Sequence, residues 1–310
     1  MIKYSNMIDF VKIPLGSKEK VDSFFCRFGE GSCQHSFATG FCFDTKYDDH
    51  FCIKDDFLYT LRQGISDDIY RTYLFPMGDL NNTDGIKAAI ENIISDAKSY
   101  NKKVKFQSIS ENAQNILKSL YGDKFAIEDR RDLYEYMYKY ETIAIMEGSH
   151  FKAKRNEIRK FFKDYENIVV KKIDKADVTN IKNLYKLWVD ADEGRQSNTQ
   201  LDYEEIALDR ALEHYDELGL EGIVIYCSDE LIGFVFGVKL NDEVFDFMIE
   251  KANAKYGAIY KVLNNELAKI CCSNFKYVNF EEDLGEEGLR NSKMMYHPDI
   301  LFKKFVAVEV

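Results

Sequence analysis

Proline and long apolar runs are what this sequence has least of. Three prolines in 310 residues exclude a Pro-rich hinge. No apolar run reaches the roughly 18 residues that a membrane span requires. The opening MIKYSNMIDFVKIPLG lacks the apolar core and cleavage site of a signal peptide, so a cytosolic location is expected. The seven cysteines are then expected to be thiols. No C-x-x-C pair, H-E-x-x-H motif or Ser-His-Asp arrangement is present, and His150, His214 and His297 stand isolated. Cys26, Cys33, His35, Cys42, His50 and Cys52 cluster early. They stand among phenylalanines, which favours small buried hydrophobes over zinc ligands, and no metal is expected.

What is present is aromatic and acidic. Twenty Tyr and 23 Phe, with 45% hydrophobic residues, supply material for two cores, and the length suggests two domains. The net charge of −11 argues against general duplex nucleic-acid binding. One segment runs the other way. From His150 to Lys172 there are eight Lys/Arg and three Asp/Glu, so HFKAKRNEIRKFF opens a local basic stretch. Its Ile158, Phe161 and Phe162 are spaced to face a core, leaving Lys154, Arg155, Arg159 and Lys160 outward.

The chain repeats itself. EGIVIYCSDELIGFVFGVKL reads as two strands about a turn at Ser228–Glu230, followed by the strand EVFDFMIEKA. An amphipathic helix in YGAIYKVLNNELAKICC carries apolar residues at three- to four-residue spacing. KYVNF is a strand, LGEEGLRNSKMMYHP a short helix stopped by Pro298, and LFKKFVAVEV a closing strand. The first half has the same order. FCIKDDFLYTLRQ is a hairpin and DIYRTYLFPMG a strand. DGIKAAIENIISDAKSY is a helix and KVKFQSI a strand. SENAQNILKSLYG is a helix capped by Ser110. Matching positions are offset by about 172 to 175 residues. A strand with helices precedes each copy, DFVKIPLGSKEKVDSFFCRF and IVVKKIDKADVTNIKNLYKLWV. The expected division is residues 1–148, a basic connecting helix at 149–166, and 167–310.

This element order resembles the GNAT acyltransferase fold, in tandem. The class is α/β (α+β), each copy a mixed, mostly antiparallel sheet flanked by helices. FKAKRNEIRKFF, YGAIYKVLNNELA and VNFEEDLGEEGLRNSKMMYHP resemble stand-alone relatives of the phosphatidylglycerol lysyltransferase C-terminal domain. That group is related to the Fem ligases. The resemblance implies transfer of an aminoacyl group from aminoacyl-tRNA to an amine or hydroxyl acceptor. The acceptor, a small molecule, lipid or peptide, is left open. The sequence has no transmembrane region like that of the membrane-bound lysyltransferases.

Site expectations rest on physical argument. Phosphates suit the N-terminus of the helix after the third antiparallel strand. The second copy offers Lys251, Asn253, Lys255, Tyr256 and Gly257 there, whereas the first offers Asp79 and Asp84. The second copy is therefore the expected active half, with the domain interface holding substrate. Glu281, Glu282 and Asp283 end the next strand. Arg290, Lys293 and Tyr296, three apart, would share a helical stripe. A carboxylate could take a proton, Arg or Lys steady an oxyanion, and Tyr return a proton. The alternative is a salt-bridged lock. Lys152, Lys154, Arg155, Asn156 and Arg159 could meet a tRNA acceptor end, or Lys and Arg there could neutralise the acidic stretch 202–221. Trp188 reads as a core anchor and Asp190–Gln200 as a polar loop. No cofactor is fixed, with aminoacyl-tRNA or acyl-CoA as donor co-substrate. A CoA-dependent N-acyltransferase and a silent binding protein that kept the fold remain as alternatives.

Overall fold

The structure is a computed structural model that describes residues 8–12, 14–191 and 198–310. The first half contains helices α1 (Lys18–Phe28), α2 (Phe37–Cys42) and α3 (Asp44–Tyr47), then strands β1 (Asp49–Lys54), β2 (Phe57–Arg62) and β3 (Tyr70–Tyr73). Helix α4 (Thr83–Ser99), strand β4 (Lys103–Ile109), helix α5 (Glu111–Tyr121) and strands β5 (Phe125–Asp129) and β6 (Glu135–Lys139) complete it. Helices α6 (Tyr140–Ala144) and α7 (Lys152–Asp164) lead to strand β7 (Ile168–Lys172) and helices α8 (Val178–Asp190) and α9 (Asn198–Glu213). Strands β8 (Leu220–Cys227), β9 (Glu230–Lys239) and β10 (Val244–Ala252), helix α10 (Ile259–Cys271) and strand β11 (Tyr277–Glu282) follow. Helix α11 (Glu287–Met294) and strands β12 (Ile300–Phe302) and β13 (Phe305–Glu309) close the chain.

Local chemistry sets most of these boundaries. The β1–β2 hairpin turns on Asp55 and Asp56, with φ of 51° and 61°, and Lys54 pairs with Phe57 across it. Two residues with positive φ give the turn whose twist matches its strands, and Asp tolerates that conformation. Asn82 caps α4 by accepting from the Gly85 N–H at 3.0 Å. Ser110 caps α5 by accepting from the Ala113 N–H. Each satisfies one of the backbone donors a helix start leaves unpaired.

The strands form two mixed sheets, β1-β2-β3-β4-β13-β5 and β12-β6-β11-β10-β9-β8-β7. The final strand of each half lies in the sheet of the other. β13 pairs antiparallel with β4 and β5, while β6 stands between β11 and β12. Two compact units result. Unit 1 is the chain up to Glu135 with Glu282–Arg290 and Leu301–Val310, and unit 2 is Tyr136–Glu281 with Asn291–Ile300. The units are therefore interleaved along the chain. In unit 1, Phe305 and Ala307 of β13 enter a core with Tyr59, Tyr73, Phe106, Ile90 and Leu117. Burying one such phenylalanine contributes about 1.5–3 kcal/mol, so the exchanged strand is part of that core. In unit 2, Phe234, Phe236, Val262, Leu263 and Leu267 are fully buried.

Several sequence expectations need correction. LFKKFVAVEV is two strands in two different sheets, not one. The stretch around Val11 forms an isolated bridge to Phe51 instead of a strand. Phe162 is exposed, although Ile158 and Phe161 of α7 are buried. Of the loop expected at Asp190–Gln200, residues 192–197 lie outside the described residues, and 198–200 begin α9.

Candidate functional site

In unit 2 the parallel pair β10–β11 holds together only through Val244–Asp246 and Tyr277–Asn279. Beyond that, both strands continue without pairing to each other. The gap where two neighbouring strands diverge can receive a carbonyl or amide from a ligand. Phe247 and Phe280 flank this divergence, their rings stacked at 4.7 Å. Tyr138 lies 4.7 Å from Phe280, and Tyr296 lies 5.9 Å from it.

A β-bulge decides which side chains face this place. Against β9, Phe247 pairs with Gly237 but Ile249 pairs with Phe236. The extra residue reverses the alternation of β10. Glu250 thereby joins the face of Phe247 and of Ala252, whose partner Gly233 abuts Leu263 and Ile259 of α10. Glu250 is half-buried, and its Oε1 is sealed from solvent with no hydrogen-bond partner. Burial pushes its carboxyl up to about 8, against the opposing pull of Lys251 and Lys293. Tyr296 is 4% exposed. Its phenol is raised by burial and by Glu250, with a hydrogen bond to Asn264 acting the other way. Lys293 donates to the Phe280 carbonyl at 2.5 Å, and Tyr138 donates to the Lys293 carbonyl at 2.8 Å.

Arg290, Lys293 and Tyr296 do not share one helical stripe. Tyr296 lies beyond the end of α11 at Met294. Glu281, Lys293 and Tyr296 belong to unit 2, and Glu282, Asp283 and Arg290 to unit 1. Glu281 is part-buried with φ of 56°, and its N–H donates to Asn279 Oδ1 at 2.9 Å. His150 and His297 are also not isolated: their rings meet at 5.3 Å.

The expected donor-binding residues are dispersed. Lys251 points to the other face of the sheet, where it pairs with Glu204 at 2.8 Å and lies 4.1 Å from the Trp188 ring. Trp188 is half-buried, and its Nε1–H donates to Tyr260. In the loop before α10, Asn253 and Tyr256 donate to the two oxygens of Glu230 at 3.2 and 2.9 Å. The Gly257 N–H donates to the Tyr165 hydroxyl at 3.2 Å, and Lys255 is exposed. Helix α10 begins after Ala258, at φ of 65° and without a side-chain cap. On α7, Lys154 donates to the Met295 carbonyl at 2.8 Å and stands 4.9 Å from the Tyr296 ring. Burial and nearby Lys261 hold its ammonium pKa below the usual range. Arg155 donates to the Met146 and Gly148 carbonyls. Asn156 accepts from Arg159 at 3.4 Å. Lys152, Arg159, Lys160 and Lys163 are exposed.

Unit 1 buries a different set of charges, and those around Asp283, Glu282 and Lys304 are engaged. Asp283 accepts from Arg290 Nε and Nη2 at 2.9 and 2.8 Å and from Arg131 at 3.0 Å. Bidentate guanidinium pairing of this kind is the strong form of the ion pair. Glu282 accepts from Gln34 Nε2 at 2.7 Å, and Gln34 Oε1 accepts from Arg62 at 2.7 Å. Lys304, fully buried, lies 2.9 Å from Glu135 and donates to Ser32. Ser32 and the Cys33 N–H both donate to Glu135. Burial first, and Glu135 second, raise the Glu282 pKa. Cys33, Glu135 and Glu282 offer ligand atoms within 4.8 Å of one another, but the chain's own Lys304 already supplies the positive charge at Glu135. His35 lies against the Gly29 carbonyl, and burial lowers its pKa to about 3.

Sequence reasoning missed Glu250, Asn264, Tyr138, Glu135 and Lys304. The signal for Glu250 was available: a carboxylate within VFDFMIEKA, a strand otherwise buried at nearly every position.

The family described as phosphatidylglycerol lysyltransferase, C-terminal, matches residues 26–308. An uncharacterized protein of Mycoplasmoides gallisepticum is 26% identical over 173 residues, 55% of this chain and 54% of that protein. The chain thus spans about half the length of this curated relative. A conserved protein of unknown function from Bacteroides thetaiotaomicron has a TM-score of 0.91 at 27% identity, covering 98% of this chain and 100% of that one. FemX has a TM-score of 0.67 at 9% identity, covering 98% and 97% of the two chains. A tandem GNAT protein from the clavulanic acid biosynthesis pathway has 0.51 at 6%, covering 97% and 98%. These two share the fold, tandem GNAT-like units. Among the described residues no helix is long and apolar enough to cross a membrane. The match from residue 26 to residue 308 makes the chain a member of the phosphatidylglycerol lysyltransferase C-terminal family.

Proposed function

We propose that unit 2 transfers an aminoacyl group from aminoacyl-tRNA to an amine or hydroxyl acceptor. The observation that carries this reading is the early divergence of β10 and β11, paired over only three residues of each strand. An ester carbonyl entering there would lie in the gap between the two strands, where positive charge and N–H donors favour the oxyanion formed on attack. Lys293, held at the Phe280 carbonyl, adds a positive charge beside the same place. Tyr296, kept protonated by its surroundings, can donate to the leaving oxygen. The lysyltransferase name of the family supports an aminoacyl ester as donor. The exposed Lys152, Arg159, Lys160 and Lys163 of α7 suit its phosphates.

The test is an incubation with bulk aminoacylated tRNA, each amino acid labelled in turn, and a panel of amine and hydroxyl acceptors. Protein-dependent transfer of label to an acceptor is the expected result. Calorimetry with acetyl-CoA addresses the CoA-dependent alternative, for which binding without tRNA-dependent transfer would be the signature. Neither binding nor transfer would leave the fold as that of a silent binding protein. The rings of Phe247, Phe280, Tyr138 and Tyr296 beside the divergence favour that second reading.

A further inference from the structure

We propose that Glu250 is the group that takes the proton from the attacking nucleophile, an inference that rests on the transferase reading. The bulge in β10 turns this carboxyl onto the face of Phe247, whose ring stacks on Phe280 of the diverging strand. Its Oε1 has no donor and no access to solvent, while the side chain as a whole is only half-buried. A buried carboxyl oxygen without a partner weakens the fold. Folded proteins seldom keep such an atom without a use for it.

The neighbouring charges have other occupations. On its own strand, Lys251 turns away to Glu204. From α7, Lys154 donates to the Met295 carbonyl, and Glu157 pairs with Lys261 of α10. Asn264 of α10 bonds Tyr296. Lys293 donates to the Phe280 carbonyl and lies 5.7 Å from the ring of Tyr136 on β6. Tyr138, also on β6, donates to the Lys293 carbonyl. A carboxyl whose pKa is pushed up to about 8 is a far stronger base, once ionised, than an ordinary glutamate, and it titrates near neutral pH.

The step balances. The acceptor nitrogen or oxygen forms a bond to the ester carbonyl carbon, and its proton passes to the Glu250 carboxylate. The bond from that carbon to the sugar oxygen breaks, and the leaving oxygen takes the Tyr296 proton. The proton on Glu250 then returns to Tyr296, and nothing is oxidised or reduced.

The test uses the full chain, wild type and Glu250→Gln, with bulk aminoacyl-tRNA and two probe nucleophiles, a primary alkylamine and hydroxylamine. Both lose a proton on attack, but the alkylamine is an ammonium ion near neutral pH and must also be deprotonated first, whereas hydroxylamine is already neutral there and nucleophilic enough to need less help from a base. The expected result is a drop of about 100-fold in transfer to the alkylamine for Glu250→Gln. Transfer to hydroxylamine should stay within a few-fold of wild type, and the rise of the alkylamine pH profile through about 8 should vanish. Equal alkylamine transfer by both proteins over the whole pH range would overturn the role of Glu250 and leave the transferase reading standing. Equal losses with both nucleophiles would make Glu250 a structural group and overturn its role as base. Wild type inert toward both nucleophiles would remove the transferase reading, and the proposal with it. Circular dichroism of the variant establishes that it is folded, and partial recovery by Glu250→Asp would mark a carboxylate requirement.

Discussion

The two units repeat one order of elements and differ in what surrounds a buried carboxyl. Unit 1 pairs Lys304 with Glu135, and Asp283 with Arg290 and Arg131, and its Asp49 Oδ1, which lacks a hydrogen bond, still faces the Arg62 guanidinium at 3.5 Å. Unit 2 leaves the Oε1 of Glu250 without a donor beside a divergence of its strands. The first arrangement fixes a fold, and the second suits the base proposed above, since a base already hydrogen-bonded is a weaker base. One order of elements thus accommodates locked pairs in one unit and an unsatisfied carboxyl oxygen in the other.

Four substitutions test that contrast. Lys304→Met should be the most damaging. It removes the cation from a fully buried Glu135, at a cost of about 3–5 kcal/mol, read by urea unfolding. Arg290→Ala should cost about 2 kcal/mol, because Arg131 still holds Asp283. A loss as large as that of Lys304→Met would mean that Arg131 does not compensate.

Glu250→Gln should move stability the other way. Burial pushes the folded carboxyl up to about 8, above the ordinary glutamate value of about 4.5, so the folded state binds the extra proton between those values. Wild-type stability from this group is fully present below about 4.5 and lost as pH rises through about 8. The variant, lacking that slope, should gain on wild type across this window and lead by about 2 kcal/mol at its alkaline end, after allowance for solvent screening. Thermal melts at several pH values measure this, and a gap that shrinks as pH rises would contradict the assignment. Ser110→Ala, which removes only the cap of α5, should cost about 1 kcal/mol at every pH. It calibrates the other three.

Much of each unit was legible in the sequence because its determinants are local. The Asp55–Asp56 turn, the cap at Ser110 and the apolar stripe of α10 each sit within a few residues of what they organise. The strand exchange is not local. Nothing in FVAVE says which sheet it will join, and β5 and β6 went unread because their partners lie far along the chain. Lys304 looks like half of an exposed basic pair in FKKF, yet it is fully buried. Only the fold brings it to Glu135. The orientation of Glu250 depends on a single inserted residue in β10, which an alternating pattern does not reveal. Asp283 and Arg290 were visible as a candidate pair. Their closed geometry was one of the two readings the spacing allowed.

The exchanged strand sets an order of events during synthesis. Unit 1 cannot fill the place between β4 and β5 until residues 305–309 leave the ribosome. Between the completion of β6 and that moment, translation at roughly 5–20 residues per second takes on the order of ten to thirty seconds. Throughout that interval the nascent N-terminal half presents two open strand edges to the cell, and anything that shields them will govern how much of this protein matures.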